Sequence, residues 1–344
     1  MLSEPQTQIS IIICHHTGVD LLRRCLDSVV LSECVEYDTI VVTSDSSFDF
    51  DTWLKEYPSV NFWYETGGPA HKRNWAVART QNPYIVFLDD DCEVSPYCLY
   101  ELKRGLEKDE KRGAGFAKIL NMEKRNEFDD CGSWLTVSGF LWARAENSKR
   151  DIGQYEKDTP CLSSKSATCI MRRKSFRDCG QFDANYYILG EETDVCWRMW
   201  LKGYEVWYLP KAKSWHAFGT SLKPKPTYYT LERIHFHGCK NYLNLLASNL
   251  GLSSLLFTLT IHLAVWIVSA VGFLFMGKPT RSYQILRGIW WNITHVKSTI
   301  AKRCRVQKSR KISDKALMKI VSYNPPFSYY LGRFKRYIGQ GLHG

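Results

Sequence analysis

An apolar run that ends in three consecutive carboxylates constrains this chain more than any other feature. The run Tyr84–Leu88 is rich in β-branched and aromatic residues, which predicts a buried strand. It continues directly into Asp89–Asp91, whose charges repel one another and are costly to remove from water. A hard divalent cation, Mg²⁺ or Mn²⁺, would balance them, because it takes oxygen ligands and often shares them with a diphosphate. The alternative is an acidic turn that lies in solvent.

Strand and helix patterns alternate along the chain as far as residue 110. The predicted strands are Ile9–Ile13, Thr39–Val42, Val60–Tyr64 and Tyr84–Leu88, and the predicted helices are Val19–Val30 and a segment from Lys72 to Ala78. This alternation predicts an α/β fold with a mainly parallel sheet covered by helices. Ligands bind at the carboxyl ends of the strands in such sheets, which is where Asp89–Asp91 lie.

Beyond residue 110 the pattern is less regular. Residues 111–170 mix short apolar runs with polar loops, and no strand pairing is predicted for them. The later predicted elements are a helix at Glu192–Leu201, a strand at Val206–Leu209 and a helix at Tyr228–Asn249.

Positive charge is concentrated at the carboxyl-terminal end of the sequence. The net charge is +11, yet residues 278–344 contain 15 lysines and arginines and a single acid, Asp314. The remaining residues carry 31 basic and 34 acidic side chains and are nearly neutral. This asymmetry predicts a polyanionic partner for the tail, either an anionic membrane surface or nucleic acid.

Two apolar segments suggest contact with a membrane. Residues 255–276 form a mostly apolar run of 22 residues, which is long enough to span a bilayer, although a buried core helix is the alternative. Trp266 and the basic flanks of this run favour the membrane. Residues 284–300 place isoleucines on one stripe beside two tryptophans, which predicts a single helix that lies at the headgroups.

The twelve cysteines are scattered, and none of them forms a Cys-x-x-Cys pair, so the spacing of a zinc site is absent. The segment Met1–Pro5 lacks the basic and apolar regions of a secretory signal. We therefore expect reduced thiols in the cytosol.

A second group of acids is found at the start of the helix predicted after residue 190. Gly190–Asp194 contains Glu191 and Glu192, which are adjacent and so cannot share a helix face. Both can serve as helix caps, because the helix dipole favours anions at this end. The alternative is that one glutamate serves the structure while the other points into a cleft as a general base.

Cationic side chains and a histidine complete the set of candidates. Lys72-Arg73-Asn74 follows a Gly-Pro turn and suits phosphate binding, with a solvated basic face as the alternative. His216 follows a predicted strand, and a lone histidine is more often a structural residue than a metal ligand.

Taken in order, these motifs resemble those of the family 2 glycosyltransferases over about residues 8–222. The resemblance is carried by Ile9–Ile13 with Cys25-Leu26-Asp27-Ser28, Lys72-Arg73-Asn74, Phe87–Asp91, Gly180–Asp183, Gly190–Asp194 with Arg198, and His216 with Gly219. It implies a GT-A (Rossmann-like) fold and an inverting transfer of a sugar from a nucleotide-diphosphate sugar to an acceptor hydroxyl.

The resemblance also implies a metal site and a general base. Asp89 and Asp91 match the ends of a metal-binding Asp-x-Asp element, and His216 matches the late histidine that completes the site for Mg²⁺ or Mn²⁺. Glu192 falls where members of the family usually carry the aspartate that acts as general base. Glu191 remains the rival for that role.

Donor binding is implied for several further residues. Arg73 and Asn74 match an Arg-Asn pair on the donor side, and the candidate set also includes Lys72, Asp89 and Asp90. Family members usually carry acids after the second strand, where they contact the nucleotide.

This chain departs from the family pattern after the second strand. It has Thr43 and Ser44 at those places, and Asp45 is expected to substitute for the missing acids from a shifted position. The donor nucleotide is therefore left open.

Three other classes of protein are alternatives to a glycosyltransferase. They are an inactive sugar- or nucleotide-binding protein, a glycoside hydrolase with two carboxylates, and a nucleic-acid-binding protein. We favour the transferase and expect no nucleic-acid partner. The acceptor is expected to be a glycan or a lipid-linked glycan.

The predicted organisation has two parts. Residues 1–225 form a catalytic domain, with a nucleotide-sugar half at about 1–110 and an acceptor half at about 111–225. Residues 226–344 form a helical, membrane-associated region in which 255–276 enters the bilayer as a re-entrant or tilted segment. This arrangement keeps the catalytic domain and the tail on the cytoplasmic face of a membrane.

Overall fold

The computed structural model describes residues 8–16, 18–145, 149–217 and 231–339. Gly219 and the predicted helix start at Tyr228 lie outside these residues. The described strands are β1 (Ile9–His15), β2 (Tyr37–Thr43), β3 (Val60–Tyr64), β4 (Tyr84–Asp89), β5 (Cys92–Val94), β6 (Arg112–Asn121), β7 (Phe128–Asp130), β8 (Ser133–Leu135), β9 (Leu141–Ala143), β10 (Thr159–Pro160), β11 (Thr168–Arg172) and β12 (Glu205–His216).

The helices surround the sheet and continue into a carboxyl-terminal helical region. They are α1 (Val19–Val30), α2 (Phe50–Glu56), α3 (Pro69–Val77), α4 (Cys98–Glu107), α5 (Arg173–Asp178), α6 (Glu191–Leu201), α7 (Leu231–Asn249), α8 (Leu252–Phe275), α9 (Pro279–Thr294), α10 (Val296–Lys308), α11 (Asp314–Val321) and α12 (Phe327–Gly339). A short 3₁₀ turn, Ala184–Tyr186, precedes α6.

Ten of the described strands form one large mixed sheet with the order β10-β12-β6-β11-β4-β1-β2-β3, and β5 and β7 are attached to β12 and β6. Strands β8 and β9 form a separate two-stranded sheet. Neighbouring strands run parallel from β3 through β2 and β1 to β4, and β6 and β12 are also parallel to each other. Strand β11 is antiparallel to both β4 and β6. The predicted α/β fold with a mainly parallel sheet and covering helices is thus confirmed.

Both faces of the sheet are buried, which explains why its central strands are almost continuously apolar. Along β1, Ile12 belongs to one core cluster, whereas Ile11 and Ile13 belong to the cluster on the opposite face. Strand β4 repeats this alternation with Phe87 on one side and Leu88 on the other. The sheet therefore holds its strand ends, and the polar residues that follow them, in a rigid frame.

The helical prediction for residues 284–300 is wrong in one respect. The chain forms two helices there, α9 and α10, which are separated at His295. The spacing of the apolar residues continues across His295, so the sequence pattern did not reveal this break. Residues 111–170, for which no pairing was predicted, supply β6 to β11 of the two sheets.

Candidate active site

The register of the parallel strands brings several polar side chains to one edge of the sheet. In the pairing of β1 with β4, Cys14 lies opposite Asp89, and in the pairing of β1 with β2, His15 lies opposite Thr43. Asp89 is the last residue of β4, so the acidic turn at Asp90 and Asp91 begins at this edge. The three acids therefore lie where a parallel sheet offers its ligand site.

Asp91 and His216 are brought together by an antiparallel strand pair. Strand β5 pairs with the end of β12 so that Cys92 lies opposite His216. The Nε2 atom of His216 is 3.3 Å from Oδ1 of Asp91, and both side chains are buried. The main-chain oxygen of Asp91 also accepts a hydrogen bond from the amide of Ala217 at 2.9 Å. The pairing of β5 with β12 therefore brings together two of the residues that were predicted to bind the metal.

Asp129, at the centre of β7, orients the histidine from behind. Its Oδ2 lies 2.9 Å from Nδ1 of His216, and its Oδ1 accepts a hydrogen bond from Lys165 at 2.7 Å. Burial alone would raise the pKa of Asp129, but Lys165 and His216 outweigh it and lower the pKa to about 2. Burial would likewise lower the pKa of His216, but Asp91 and Asp129 raise it to about 10.

The side chains at this point fit a divalent cation. Ligand atoms of Asp91, Cys92 and His216 all lie within 4.8 Å of one another. Burial and the neighbouring aspartates raise the pKa of the Cys92 thiol well above its ordinary value, so a carboxylate oxygen and an imidazole nitrogen are the suitable donors. A histidine whose second nitrogen is fixed by a carboxylate is the usual support for a metal ligand. Metal binding here would displace the proton that His216 carries.

Asp89 has a different partner from Asp91. Its Oδ1 accepts a hydrogen bond from Nη2 of Arg73 at 2.7 Å, and Nη1 of Arg73 lies 3.5 Å from Glu191. Arg73 is buried and also donates to Ser166 at 2.9 Å. One guanidinium thus connects the acidic turn with the helix that carries the two glutamates.

The two glutamates begin α6 after Gly190, whose φ of +90° is a conformation that favours glycine. Glu191 is buried, and burial raises its pKa even though Arg73 counteracts the effect. Burial and the adjacent charge of Glu191 raise the pKa of Glu192 well above its ordinary value. Two neighbouring carboxyls of this kind titrate as a pair, and a carboxylate whose pKa is raised has more affinity for a proton than an ordinary glutamate.

The remaining predicted donor residues occupy different positions. Lys72 is buried, and its Nζ donates to the main-chain oxygen of His15 at 2.8 Å and approaches Ser44 Oγ at 3.4 Å. The Oδ2 atom of Asp90 accepts a hydrogen bond from Nδ1 of His15 at 2.8 Å. Asp45 accepts two hydrogen bonds from Ser47, which lower its pKa.

Asn74 has a structural role that the sequence did not reveal. Its Nδ2 donates to the main-chain oxygen of Phe182 at 2.8 Å, and its Oδ1 accepts from the amide of Phe182 at 3.1 Å. This pair of bonds holds the predicted turn Gly180–Asp183 against α3. Contact between Asn74 and a donor remains a prediction, as do the functional roles of the other candidates.

Sequence reasoning missed His15, Asp129 and Lys165. His15 is the last residue of β1 and lies two residues beyond the predicted strand Ile9–Ile13, so the positional argument that singled out Asp89 could have found it. Asp129 and Lys165 lie within the region for which no pairing was predicted. Their proximity to His216 depends on long-range strand pairing that no local pattern in the sequence reports.

The carboxyl-terminal helices are attached directly behind the glutamates. Asp194 on α6 is fully buried and contacts Arg198 at 2.7 Å, Lys302 of α10 at 2.9 Å and Asn249 of α7 at 3.1 Å. Burial would raise the pKa of Asp194, but the two cations hold it well below its ordinary value. Lys302 also contacts Asp183 at 2.8 Å. These contacts fix α6 between the sheet and the helices that follow it.

Comparison with known proteins agrees with this architecture. Residues 10–180 match Glycosyl transferase family 2. Over 211 residues, or 58% of the chain, the sequence is 25% identical to the O-antigen biosynthesis protein RfbC of Myxococcus xanthus, and the match spans 16% of that protein. Because the match covers so small a part of RfbC, the activity of that protein is not assigned to this chain.

Two solved structures share the fold. S. aureus TarS 1-349 in complex with UDP-GlcNAc has a TM-score of 0.57 and 14% identity, with 88% of this chain and 91% of that chain covered. The mannosyltransferase PcManGT from Pyrobaculum calidifontis, in complex with GDP-Man and Mn²⁺, has a TM-score of 0.52 and 13% identity, with 89% and 85% covered. The fold and the family match are those of a glycosyltransferase. The chain belongs to glycosyl transferase family 2 and has the GT-A fold.

Proposed function

We propose that this protein is an inverting, metal-dependent glycosyltransferase that moves a sugar from a nucleotide-diphosphate sugar to an acceptor hydroxyl. The observation that supports this most directly is the position of Arg73 between Asp89 and Glu191. It joins the acidic strand end, which suits a metal and a diphosphate, to a pair of glutamates with raised pKa values. A leaving-group site and a proton acceptor are then part of one connected cluster.

In this proposal Asp91 and His216 form the metal site, with Asp129 fixing the orientation of the imidazole. Asp89, the third ligand expected from the sequence, contacts Arg73 and is assigned to the donor instead. A divalent cation bound by Asp91 and His216 supplies positive charge that stabilises the leaving diphosphate. Asp89 is placed by Arg73 to contact the donor, and Lys72 adds a buried positive charge near Ser44. Asp45, Asn74 and Asp90 complete the proposed donor-binding set.

The second half of the proposed reaction belongs to the glutamates. Glu192, or its rival Glu191, takes the proton from the acceptor hydroxyl as that oxygen attacks the anomeric carbon. Attack from the face opposite the diphosphate inverts the configuration in a single displacement. The raised pKa of Glu192 suits this role, because a base that has some affinity for the proton at working pH is more effective.

We propose a glycan or a lipid-linked glycan as the acceptor. Attachment to a membrane would place the site near a lipid-linked chain, and the relative RfbC is named for O-antigen biosynthesis. An inactive binding protein is the second candidate, because Thr43 and Ser44 replace the acids that usually follow the second strand. Slow hydrolysis of a nucleotide sugar by the purified protein would distinguish the transferase from this candidate.

Donor identity can be found by thermal unfolding with a panel of nucleotide sugars. With Mn²⁺ present, the correct donor at about 100 times its Kd should stabilise the fold by about 2.7 kcal/mol and raise Tm by several degrees. The same donor with a chelator, and the nucleoside without its diphosphate, should give little shift. Equal shifts with and without the metal would contradict the proposed metal–diphosphate contact.

We also propose that α8 and α9 hold the protein on the cytoplasmic face of a membrane. Within the described residues, α8 is the one helix long and apolar enough to cross a bilayer. However, buried residues recur along its length from Leu255 to Phe273, where it packs against the rest of the protein. A helix covered on one side in this way suits an in-plane position, with the opposite side facing lipid.

Exposed side chains support this orientation. Leu256 and Phe257 of α8 are 62% and 61% exposed, and Trp290 of α9 is 62% exposed. Lys278 lies between the two helices and Arg281 lies in the first turn of α9, and such basic residues suit anionic headgroups. The cytoplasmic assignment follows from the location of nucleotide sugars in the cytosol and remains part of the proposal.

Vesicle sedimentation tests the membrane face. We expect the protein to sediment with vesicles that contain phosphatidylglycerol, and the double variant Leu256→Ser/Phe257→Ser to lose most of that binding, because burial of each large apolar side chain contributes about 2 kcal/mol. Leu31→Ser/Ile152→Ser, which also removes two exposed apolar side chains, is the matched control and should bind normally. If both variants bind as the unmodified protein does, α8 is not the attachment site.

A further inference from the structure

A basic groove lies at the edge of the sheet opposite the candidate active site. Its lining includes Pro83, which precedes β4, and Arg172, which pairs with Tyr84 at the start of that strand. It also includes the segment between α6 and β12 and the end of α10. The groove has a volume of about 1320 Å³, and its position separates it from the acids at the other end of β4.

The lining of this groove is strongly positive. Nine of its fifteen residues are lysine or arginine, and two are acidic. One of those acids, Asp178, already forms an ion pair with Lys174 at 2.7 Å. The groove therefore carries a large excess of positive charge that its own acids do not balance.

Two arginines at the base of the groove are bonded only to neutral groups. Arg172 donates to the main-chain oxygens of Arg112 and Leu106 and to the hydroxyl of Tyr84. Arg173 donates to the main-chain oxygens of Asn82 and Val77 and to the hydroxyl of Thr80, which fixes its guanidinium in place. Among the described residues, no carboxylate forms an ion pair with either arginine. Preorganised, uncompensated guanidinium groups are well suited to oxyanions.

The rim of the groove adds cations that are exposed and unpaired. Arg177, Lys308 and Lys311 are exposed, and their side chains make no ion pair or hydrogen bond with the described part of the chain. They come from α5, from α10 and from the segment after α10. Three separate elements thus converge on one positively charged surface.

The groove continues into a second cavity that leads along α6. This cavity, of about 570 Å³, shares Asp178, Lys202 and Ser309 with the groove and is also lined by Arg198 and Lys302. It reaches the turn at Phe182, which Asn74 of α3 holds. The combined lining therefore extends from the carboxyl end of α6 to the turn that precedes this helix and contacts α3.

We propose that this groove binds a linear, non-aromatic polyanion, a chain with regularly spaced phosphate or carboxylate groups, as the distal part of the acceptor. The role of this polyanion as the acceptor rests on the proposed function, whereas its binding in the groove does not. Single-stranded nucleic acid is a poorer fit, because stacking needs aromatic platforms and Tyr204, the one aromatic residue in the lining, donates its hydroxyl to Asp178. A flat lipid surface is also a poorer fit, because Arg172 and Arg173 are recessed in a concave site.

Binding of a synthetic glycerol phosphate oligomer of about six repeats, measured by fluorescence anisotropy, tests the groove. The triple variant Arg177→Glu/Lys308→Glu/Lys311→Glu should bind at least about tenfold more weakly, which is the order expected from losing three exposed charge contacts. The control Lys55→Glu/Lys157→Glu/Lys211→Glu makes the same change in net charge at exposed sites outside the groove and should bind normally. Oligogalacturonate in a parallel titration shows whether carboxylates substitute for phosphates. If the glutamate variant unfolds, the corresponding triple glutamine variant replaces it.

Several outcomes overturn the assignment. These are no binding of either oligomer, equal weakening by the control variant, or tighter groove-dependent binding of single-stranded DNA or of phosphatidylglycerol vesicles. A failure of the proposed function can be distinguished from a failure of the groove assignment. Asp91→Asn should retain oligomer binding while losing sugar transfer, and an unmodified protein that binds the oligomer but never turns over a nucleotide sugar would leave the groove standing without the reaction.

Discussion

Replacement of Asp91 by asparagine is expected to lower metal-dependent sugar transfer by about 1000-fold, because a metal ligand contributes several kcal/mol to stabilising the leaving group. Asparagine keeps the size of the side chain and the main-chain contact with Ala217, so the fold should survive. Turnover of the nucleotide sugar and the Tm should be measured over a range of Mn²⁺ concentrations. We expect weak residual activity that no longer responds to the metal.

The matched control for this variant is Asp109→Asn. Asp109 lies in the turn between α4 and β6 and accepts a hydrogen bond from the amide of Lys111. The variant Asp109→Asn makes the same chemical change at the surface, and we expect its sugar-transfer activity to equal that of the unmodified protein. Unchanged turnover in Asp91→Asn would contradict the assignment of Asp91 as a metal ligand.

Replacement of Glu192 by glutamine is expected to lower kcat by about 1000-fold, within the range observed when a general base is removed. Its pKa is raised, and a base acts only when it is deprotonated, so the rate of the unmodified enzyme should fall as the pH decreases through that raised pKa. This acidic limb should lie above pH 4.5, the ordinary value for a glutamate. In the glutamine variant the limb should be absent.

Glu191→Gln is the matched variant, since it changes the adjacent member of the same pair. Glu191 lies 3.5 Å from Arg73, so its loss should mainly weaken the contact between α6 and α3 and alter KM more than kcat. It should also lower the pKa of Glu192, because a neighbouring negative charge is gone, and so shift the acidic limb to lower pH. The reverse pattern, with the large loss of kcat in Glu191→Gln, would assign the base to Glu191.

Local patterns in the sequence were sufficient for the elements that hold the donor-side residues. Strand β3 has the predicted bounds, and β1, β2 and β4 extend the predicted strands by one to three residues. The reason is that strands buried on both faces are continuously apolar and bounded by polar residues. The position of Asp89–Asp91 at the sheet edge followed from this alone.

What the sequence could not supply was the set of partners. Asp91 meets His216 because β5 pairs with β12, and Asp129 reaches the same histidine because β7 pairs with β6. Strands β5 and β12 are far apart in sequence. Strand β7 follows β6 closely, but it reaches His216 only because β6 also pairs with the distant β12. Strands β5 and β7 have three residues each, which is too short for an alternating pattern to be recognised. The bridging position of Arg73 likewise depends on how α3 packs against α6, which is a tertiary property.

The contact of Lys302 with Asp194 means that the smallest unit that folds is larger than the smallest unit that contains the catalytic groups. A chain cut at residue 225 would keep every candidate acid, yet Asp194 would lose two of its four described side-chain partners, Lys302 and Asn249. Arg198 would then be the one described cation paired with this buried charge, at the back of the helix that presents Glu191 and Glu192, and Tyr186 would add only a hydroxyl. The carboxyl-terminal helices proposed to attach the protein to a membrane therefore also support the helix that carries the two glutamates. A mutation that displaces these helices would be expected to lower catalytic activity as well.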